Sequence, residues 1–298
     1  MNDAASGRAD DPQPTIALAL GAGGARGLAH IAALEVFDEL GLKPAVIAGA
    51  SMGAVIGAVY AAGVGARRIR THVEGLLRDR PAIMAALVEA RIGRLTDLIS
   101  RGNPLLIDGE RFLDRLWPDA VPDRFEDLPS PFLAIATDYY GRTEAVFQAG
   151  PLLPAVAGSM AIPGLVKPVR HGGRLLVDGG AINPLPFDHL IGRASLLVAV
   201  DVTGGPNPYP ARAPGGFATM FGTLQIMQGA IVEAKLKLYR PEIVLRPAVD
   251  RFRVLDFFQA RAILAAAEPA KEALKREIAR HFEGHRPSPH AGRGDSRT

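Results

Sequence analysis

Short, wholly apolar runs alternate along this chain with segments whose apolar residues recur every three or four positions. Ile16-Ala-Leu-Ala-Leu20 is the first such run and predicts a buried strand. A glycine-rich stretch, Gly21 to Gly27, follows it. Leu28, Ile31, Leu34 and Phe37 then fall at helical spacing up to a stop at Gly41, with Glu35, Asp38 and Glu39 on the other side. Val46 to Ala48 is a second buried strand, running into Gly49-Ala-Ser-Met-Gly53 and an Ala/Gly-rich helix. Strand, helix and strand in this order make the repeating unit of parallel sheets.

The pattern continues with a helical stretch from Val64 to about Ser100, carrying Ile83, Leu87, Ile92, Leu95 and Leu98. Asp108 is placed to cap a helix containing Phe112, Leu113 and Leu116 that ends at Pro118. Pro131 to Thr137 reads as a buried strand with Glu144 to Phe147 as its partner, and Pro151 to Met160 as a short helix beginning at a proline. Val166 to Val169, Leu175 to Val177, Leu196 to Val200 and Ile243 to Leu245 are further strands. Phe217 to Tyr239 and Asp256 to about Phe282 are helices. Gly204 to Gly216 is crowded with Pro and Gly and reads as a loop. These elements predict an α/β fold, a three-layer α/β/α arrangement on a mostly parallel sheet. They assign 15–283 to one domain, 1–14 to a disordered N-terminus and 284–298 to a disordered basic tail.

Pro44 to Ala66 carries no charge and is long enough to cross a bilayer. Its Ala and Gly content and internal glycines favour a buried strand-turn-helix instead. Composition narrows the function. The chain is 298 residues long with 48% hydrophobic residues, 22% charged and a net charge of +3, as expected of a soluble globular protein. With 6% aromatic residues and no basic stripe interleaved with them, it is not a nucleic-acid binder. The basic tail leaves peripheral contact with anionic membranes open. There is no cysteine, which excludes disulfides, thiolate metal sites and a Cys nucleophile and fits a reducing, cytoplasmic compartment. No apolar signal core precedes Pro14. Nothing in the pattern sets an oligomeric state.

Gly49-x-Ser51-x-Gly53 between a buried strand and a helix has the form of a nucleophile elbow. A serine hydroxyl needs a base for its proton and donors for the charge that forms on the carbonyl oxygen. Of the seven histidines, only His171 and His189 lie in loops near strand ends, and only His189 after Asp178 suits a Ser-Asp-His order. A carboxylate raised by burial can replace imidazole. Asp138, Asp178 and Asp201 each sit just past an apolar strand, where the carboxyl ends of a parallel sheet share the elbow's edge. Each could equally cap a turn. Asp178 differs in being followed by Gly179-Gly180, which leaves room for close approach. Amides at the start of the first helix, in Gly23-Gly24-Ala25-Arg26-Gly27, suit either a phosphate or an oxyanion. A dinucleotide site wants an acid about twenty residues on, yet no Asp or Glu lies between Glu39 and Glu74. A Walker loop wants Lys-Ser/Thr where Leu28-Ala29 stands. The oxyanion reading gains accordingly.

Four motifs in this order resemble the patatin-like phospholipases: the Gly-rich loop with Arg26, the elbow at Ser51, Gly158-Ser-Met-Ala-Ile-Pro163 with Pro168 after it, and Asp178-Gly179-Gly180. They span about Ile16 to Pro186. The resemblance implies a Ser51–Asp178 dyad without His, an oxyanion hole from the amides of Gly23, Gly24 and the Arg26 region, and hydrolysis of lipid or fatty-acyl esters through an acyl-enzyme. It implies no cofactor, and no Asp/Asn-rich calcium loop is present. Ala22 departs from the family by standing at the first position of the glycine frame. The helices from Arg67 to Trp117 and the Gly204 to Gly216 loop are the candidates for a channel and lid. A non-catalytic regulatory or adaptor protein on the same fold is the rival reading.

Overall fold

The computed structural model of the protein describes residues 15–91, 106–206, 213 and 215–284. The two expected tails, Ile92, Leu95 and Leu98, and much of the Pro/Gly-rich stretch lie outside these residues. The first apolar run is β1 (Ile16–Leu20), buried at every position. A 3-10 turn (Gly24–Ala29) leads from it into α1 (His30–Glu39), and β2 (Pro44–Ala50) runs into α2 (Met52–Ala61). The uncharged stretch is thus a strand, turn and helix inside the molecule, and among the described residues no helix is long and apolar enough to cross a membrane. The expected helix after Val64 is two, α3 (Ala66–Arg78) and α4 (Arg80–Arg91), with the break at Asp79.

Asp108 caps α5 (Gly109–Leu116) as expected, its carboxylate accepting from the Arg111 amide. The central section then runs β3 (Phe132–Asp138), β4 (Thr143–Phe147), α6 (Leu152–Ser159), β5 (Val169–His171) and β6 (Arg174–Val177). Pro151 stands just outside α6 as its cap. Val166 makes only an isolated bridge to Ile107, so β5 starts at Val169. The remainder is β7 (Leu196–Val200), α7 (Gly216–Leu238), β8 (Ile243–Leu245) and α8 (Ala260–Gly284).

Hydrogen-bonded neighbours follow the order β5-β6-β3-β2-β1-β7-β8, with β4 attached to β3. The run β3-β2-β1-β7-β8 is parallel; β4, β5 and β6 join through antiparallel pairs. Alternation along each strand divides the core. Leu18, Ile47, Ala134 and Val198 face a thick layer of α1, α2, α6 and α8. Ala17, Ala48, Ile135 and Leu197 face a thinner one, where Phe187, Leu190 and Val232 of α7 cover the sheet. A fully enclosed Leu such as Leu18 contributes about 1.5–3 kcal/mol.

The register at β3 positions the site. β2 pairs with Phe132 to Ile135 along one edge of β3, and β4 takes the other edge from Ala134 to Asp138. β6 pairs with Thr137 and Asp138, so it uses the edge that β2 leaves free. The two strands therefore approach head to head, and the residues that leave their ends, Ser51 and Asp178, meet beside Ala136.

Candidate active site

Ser51 joins β2 to α2 with φ 53° and ψ −122°, a strained conformation for a side chain bearing a Cβ. The neighbouring backbone is close enough to hold it there. A Cβ on Gly53 would stand 2.1 Å from the Leu20 carbonyl oxygen, and one on Gly49 would stand 2.4 Å from the Gly53 oxygen. The Ser51 amide donates to Ser159 Oγ at 2.9 Å, and that hydroxyl donates onward to the Ile135 carbonyl. Ser159 lies in the Gly158 to Pro163 block. Its part in orienting the elbow was not readable from spacing, because it depends on α6 ending beside β3.

Ser51 Oγ donates to Asp178 Oδ2 at 2.6 Å across 127 positions of chain, and both residues are buried. Asp178 also behaves as a turn residue: its Oδ1 accepts from the Gly180 amide at 2.7 Å. Its carbonyl accepts from Thr137 Oγ1 at 2.8 Å. Gly179 packs directly on β3, where a Cβ would come within 2.0 Å of the Ile135 oxygen; at Gly180 it would meet Gln228 and the Ala22 methyl. Burial pushes the Asp178 carboxyl up to about 6, against the hydrogen bonds from Ser51 and Gly180 that pull it down. Asp178 does not leave a parallel strand, as expected for all three aspartates; it follows the antiparallel β6. Asp138 and Asp201 do end parallel strands, and both are turn aspartates. Asp138 accepts from the Gly141 amide and faces Arg174. Asp201 accepts from the Thr203 amide and pairs with Arg246.

The glycine loop lies opposite. Gly23 and Gly24 are wedged between Val202 and Val254 and line the same cavity as Ser51 and Asp178. Among the described residues neither amide has an acceptor. The Ala22 amide donates to the Pro184 carbonyl, and the Ala22 methyl faces the cavity. The Arg26 amide is not free as expected: it donates to the Gly23 carbonyl at 3.2 Å. Its side chain runs away from the cavity, fully buried beside Gly204. Burial lowers the guanidinium to about 10, although Asp250 and Asp201 favour its charge.

No histidine accepts from Ser51 among the described residues. His189 bonds Glu144 at 2.8 Å, and that contact raises its pKa. His30 bonds the Gly21 carbonyl and is lowered to about 4 by burial, which leaves it neutral. Glu144, Asp188 and His189 do converge closely enough for a metal ion. Lys235 and Asn183 already compensate those carboxylates, so the cluster reads as an ion-pair network.

The cavity above the dyad is small, about 50 Å³, room for about four waters. Ile162 and Pro163 form one side, and Phe221, Leu224, Gln225 and Gln228 of α7 form the roof. No described residue from Arg67 to Trp117 lines it. Of the two candidates for a channel and lid, the described helices α3, α4 and α5 stand away from the cavity, α3 against α1 and α8 and α4 against α5, while most of the Gly204 to Gly216 loop lies outside the described residues; the described roof is α7.

A strained serine at the end of a parallel strand, facing a buried carboxylate and glycine amides without acceptors, places this chain among α/β proteins with a nucleophile-elbow turn on the sheet rim. Residues 18–191 match the family described as Patatin-like phospholipase, and the chain belongs to that family. An uncharacterized NTE family protein of Mycobacterium tuberculosis is 40% identical over 193 residues, which is 64% of this chain and 50% of that protein. Human patatin-like phospholipase domain-containing protein 6 is 32% identical over 193 residues, 63% of this chain and 13% of its own. Lysophospholipase NTE1 of Saccharomyces cerevisiae is 24% identical over 265 residues, covering 81% and 15%. The chain thus spans about half the length of the mycobacterial relative and less of the others. Among solved structures, VipD of Legionella pneumophila aligns at TM-score 0.48 and 15% identity, over 89% of this chain and 67% of that one.

Proposed function

We propose that this chain is a serine esterase that cleaves acyl esters of lipids through a Ser51–Asp178 dyad. The observation that carries the reading is the 2.6 Å bond from Ser51 Oγ to a carboxylate raised to about 6, in a cavity lined by free amides. A base in this range is mostly ionised at pH 7 yet still basic enough to take a proton in the transition state. Ser51 Oγ attacks the ester carbonyl carbon while its proton passes to Asp178 Oδ2. The amides of Gly23 and Gly24 receive the oxyanion. Asp178 returns the proton to the alkoxide as the C–O bond breaks and the alcohol leaves. Water, deprotonated by the same carboxylate, then attacks the acyl-serine; the acyl C–Oγ bond breaks, Asp178 returns the proton to Ser51 Oγ, and the fatty acid leaves. The lipid substrate class is supported by family membership and by the lysophospholipase among the relatives.

Turnover of short- and long-chain p-nitrophenyl esters by the wild type, Ser51→Ala and Asp178→Asn tests the reading, together with fluorophosphonate labelling of Ser51. Hydrolysis and labelling in the wild type alone are expected. Equal turnover by all three removes the dyad, and inert wild type leaves a non-catalytic adaptor on this fold.

A further inference from the structure

Helix α7 roofs the cavity with one face, and its other face meets solvent. A helix on a protein surface ordinarily carries charge outside. From Gly216 to Val232 α7 carries none, for 17 residues. Ile226 is 60% exposed and Met227 55%. At 100° per residue, Lys237 falls almost directly below Ile226 on the outer face, and Leu238 (76% exposed) below Met227. Exposed Tyr239 and Arg240 follow at once. Glu233, the acid on this face, is held by Arg246. No carboxylate among the described residues pairs with Lys237 or Arg240. The outer face is therefore uncharged for four turns, with Ile226 and Met227 its large apolar side chains and Thr219 and Thr223 among its smaller polar ones, and it ends in the cations Lys237 and Arg240, a charge that suits an anionic headgroup layer.

We propose that the outer face of α7 docks on an anionic phospholipid bilayer, with Ile226 and Met227 entering the acyl boundary and Lys237 and Arg240 meeting headgroup phosphates. The choice of a lipid occupant rests on the ester-hydrolase reading, because the opposite face of the same helix closes the serine cavity. It also rests on the charge at the helix end. The cavity beneath is only about 50 Å³, so a helix drawn toward lipid on its outer side widens the site where substrate is concentrated.

The test is sedimentation of the full chain with phosphatidylcholine vesicles, with and without phosphatidylglycerol. A Ser51→Ala background consumes no lipid, and its binding does not depend on catalysis. That protein is expected to sediment with the mixed vesicles. Ile226→Glu with Met227→Glu should reduce binding at least about tenfold. Lys237→Glu with Arg240→Glu should abolish the preference for phosphatidylglycerol. With Ser51 intact, the Ile226/Met227 variant should hydrolyse a soluble short-chain ester as the wild type does and lose activity on vesicles. Circular dichroism and thermal midpoint report that both variants fold. The proposal is overturned if the Ser51→Ala protein stays in the supernatant or if the Ile226/Met227 change leaves sedimentation unaltered. It is equally overturned if that change converts a dimer to a monomer without vesicle binding, which would make a second copy the occupant.

Discussion

The floor and the roof of the cavity are built on different principles. The floor is backbone packed on backbone: Gly53, Gly179 and the Gly23-Gly24 turn each lie where a Cβ would collide with a carbonyl oxygen of another segment of the chain. The roof is one helix resting on the site through side chains, with Val232 and Phe221 among the few it buries deeply. Catalytic groups need positions held to a fraction of an ångström, and contacts with no slack supply that. A cover that must admit a bulky substrate needs the opposite, contacts that separate without breaking the core.

The largest expected effect is at the floor's chemistry. Ser51→Ala and Asp178→Asn should each lower kcat/KM for an activated ester by about 10³-fold or more. By contrast, Leu224→Ala in the roof should change acyl-chain preference by a few-fold. Steady-state kinetics across a series of chain lengths separates the two; comparable losses at all three positions would erase the distinction.

Next in size is the packing itself. Alanine at Gly179 must move either Ile135 or the turn that carries Asp178, since its Cβ would lie 2.0 Å from the carbonyl oxygen. A cost of about 3 kcal/mol or more is expected, read as a fall in thermal or denaturant midpoint. Activity should fall further than the unfolded fraction explains, because the dyad bond shifts with the turn.

This contrast also explains what the sequence made legible. Close backbone approach demands glycine and an elbow demands G-x-S-x-G, so Ser51, Asp178 and their glycines stood out by residue type. Strand order could not be read in the same way. That β6 returns antiparallel along the edge vacated by β2 follows from register, which leaves no mark on the runs themselves. The roof was missed for a further reason. A helix without charge from Gly216 to Val232, polar both on its exposed side (Thr219) and on its buried side (Gln225), gives no periodicity from which its inner face can be told, so Phe221, Leu224 and Gln225 carry no mark of their place in the roof. Ser159 is legible only as part of a motif, because its hydrogen bonds go to residues 108 and 24 positions away.

Asp178 carries a smaller but more diagnostic effect. Its ionisation in the folded protein is raised to about 6, from an ordinary value near 4. Below about pH 4 both folded and unfolded chains hold this proton. Between about pH 4 and pH 6 the unfolded chain releases it first, so stability falls as pH rises through that window and is level above it. Asp178→Asn should abolish that slope and be more stable than the wild type at pH 7 by about 1–3 kcal/mol. Activity has the opposite sign, because the base must be ionised: kcat/KM should climb to a plateau through an apparent pKa near 6. Urea melts at several pH values, set beside the rate profile, check both directions. A variant less stable than the wild type at pH 7 would mean that the carboxylate is not held at a cost.

The smallest effect sharpens the comparison most, because it reverses the sign of the same substitution. Gly229 lies within α7, and a Cβ there would meet nothing within 4 Å. The helical backbone at this position suits any residue, so glycine adds only unfolded-state freedom. Gly229→Ala should therefore raise stability by about 0.5–1 kcal/mol, where Gly179→Ala lowers it several-fold more. Two glycine-to-alanine changes, one on each side of a single cavity, then move the melting midpoint in opposite directions. If Gly229→Ala instead destabilised the protein as Gly179→Ala does, α7 would be packed as tightly as the floor, and the roof would have no freedom to lift.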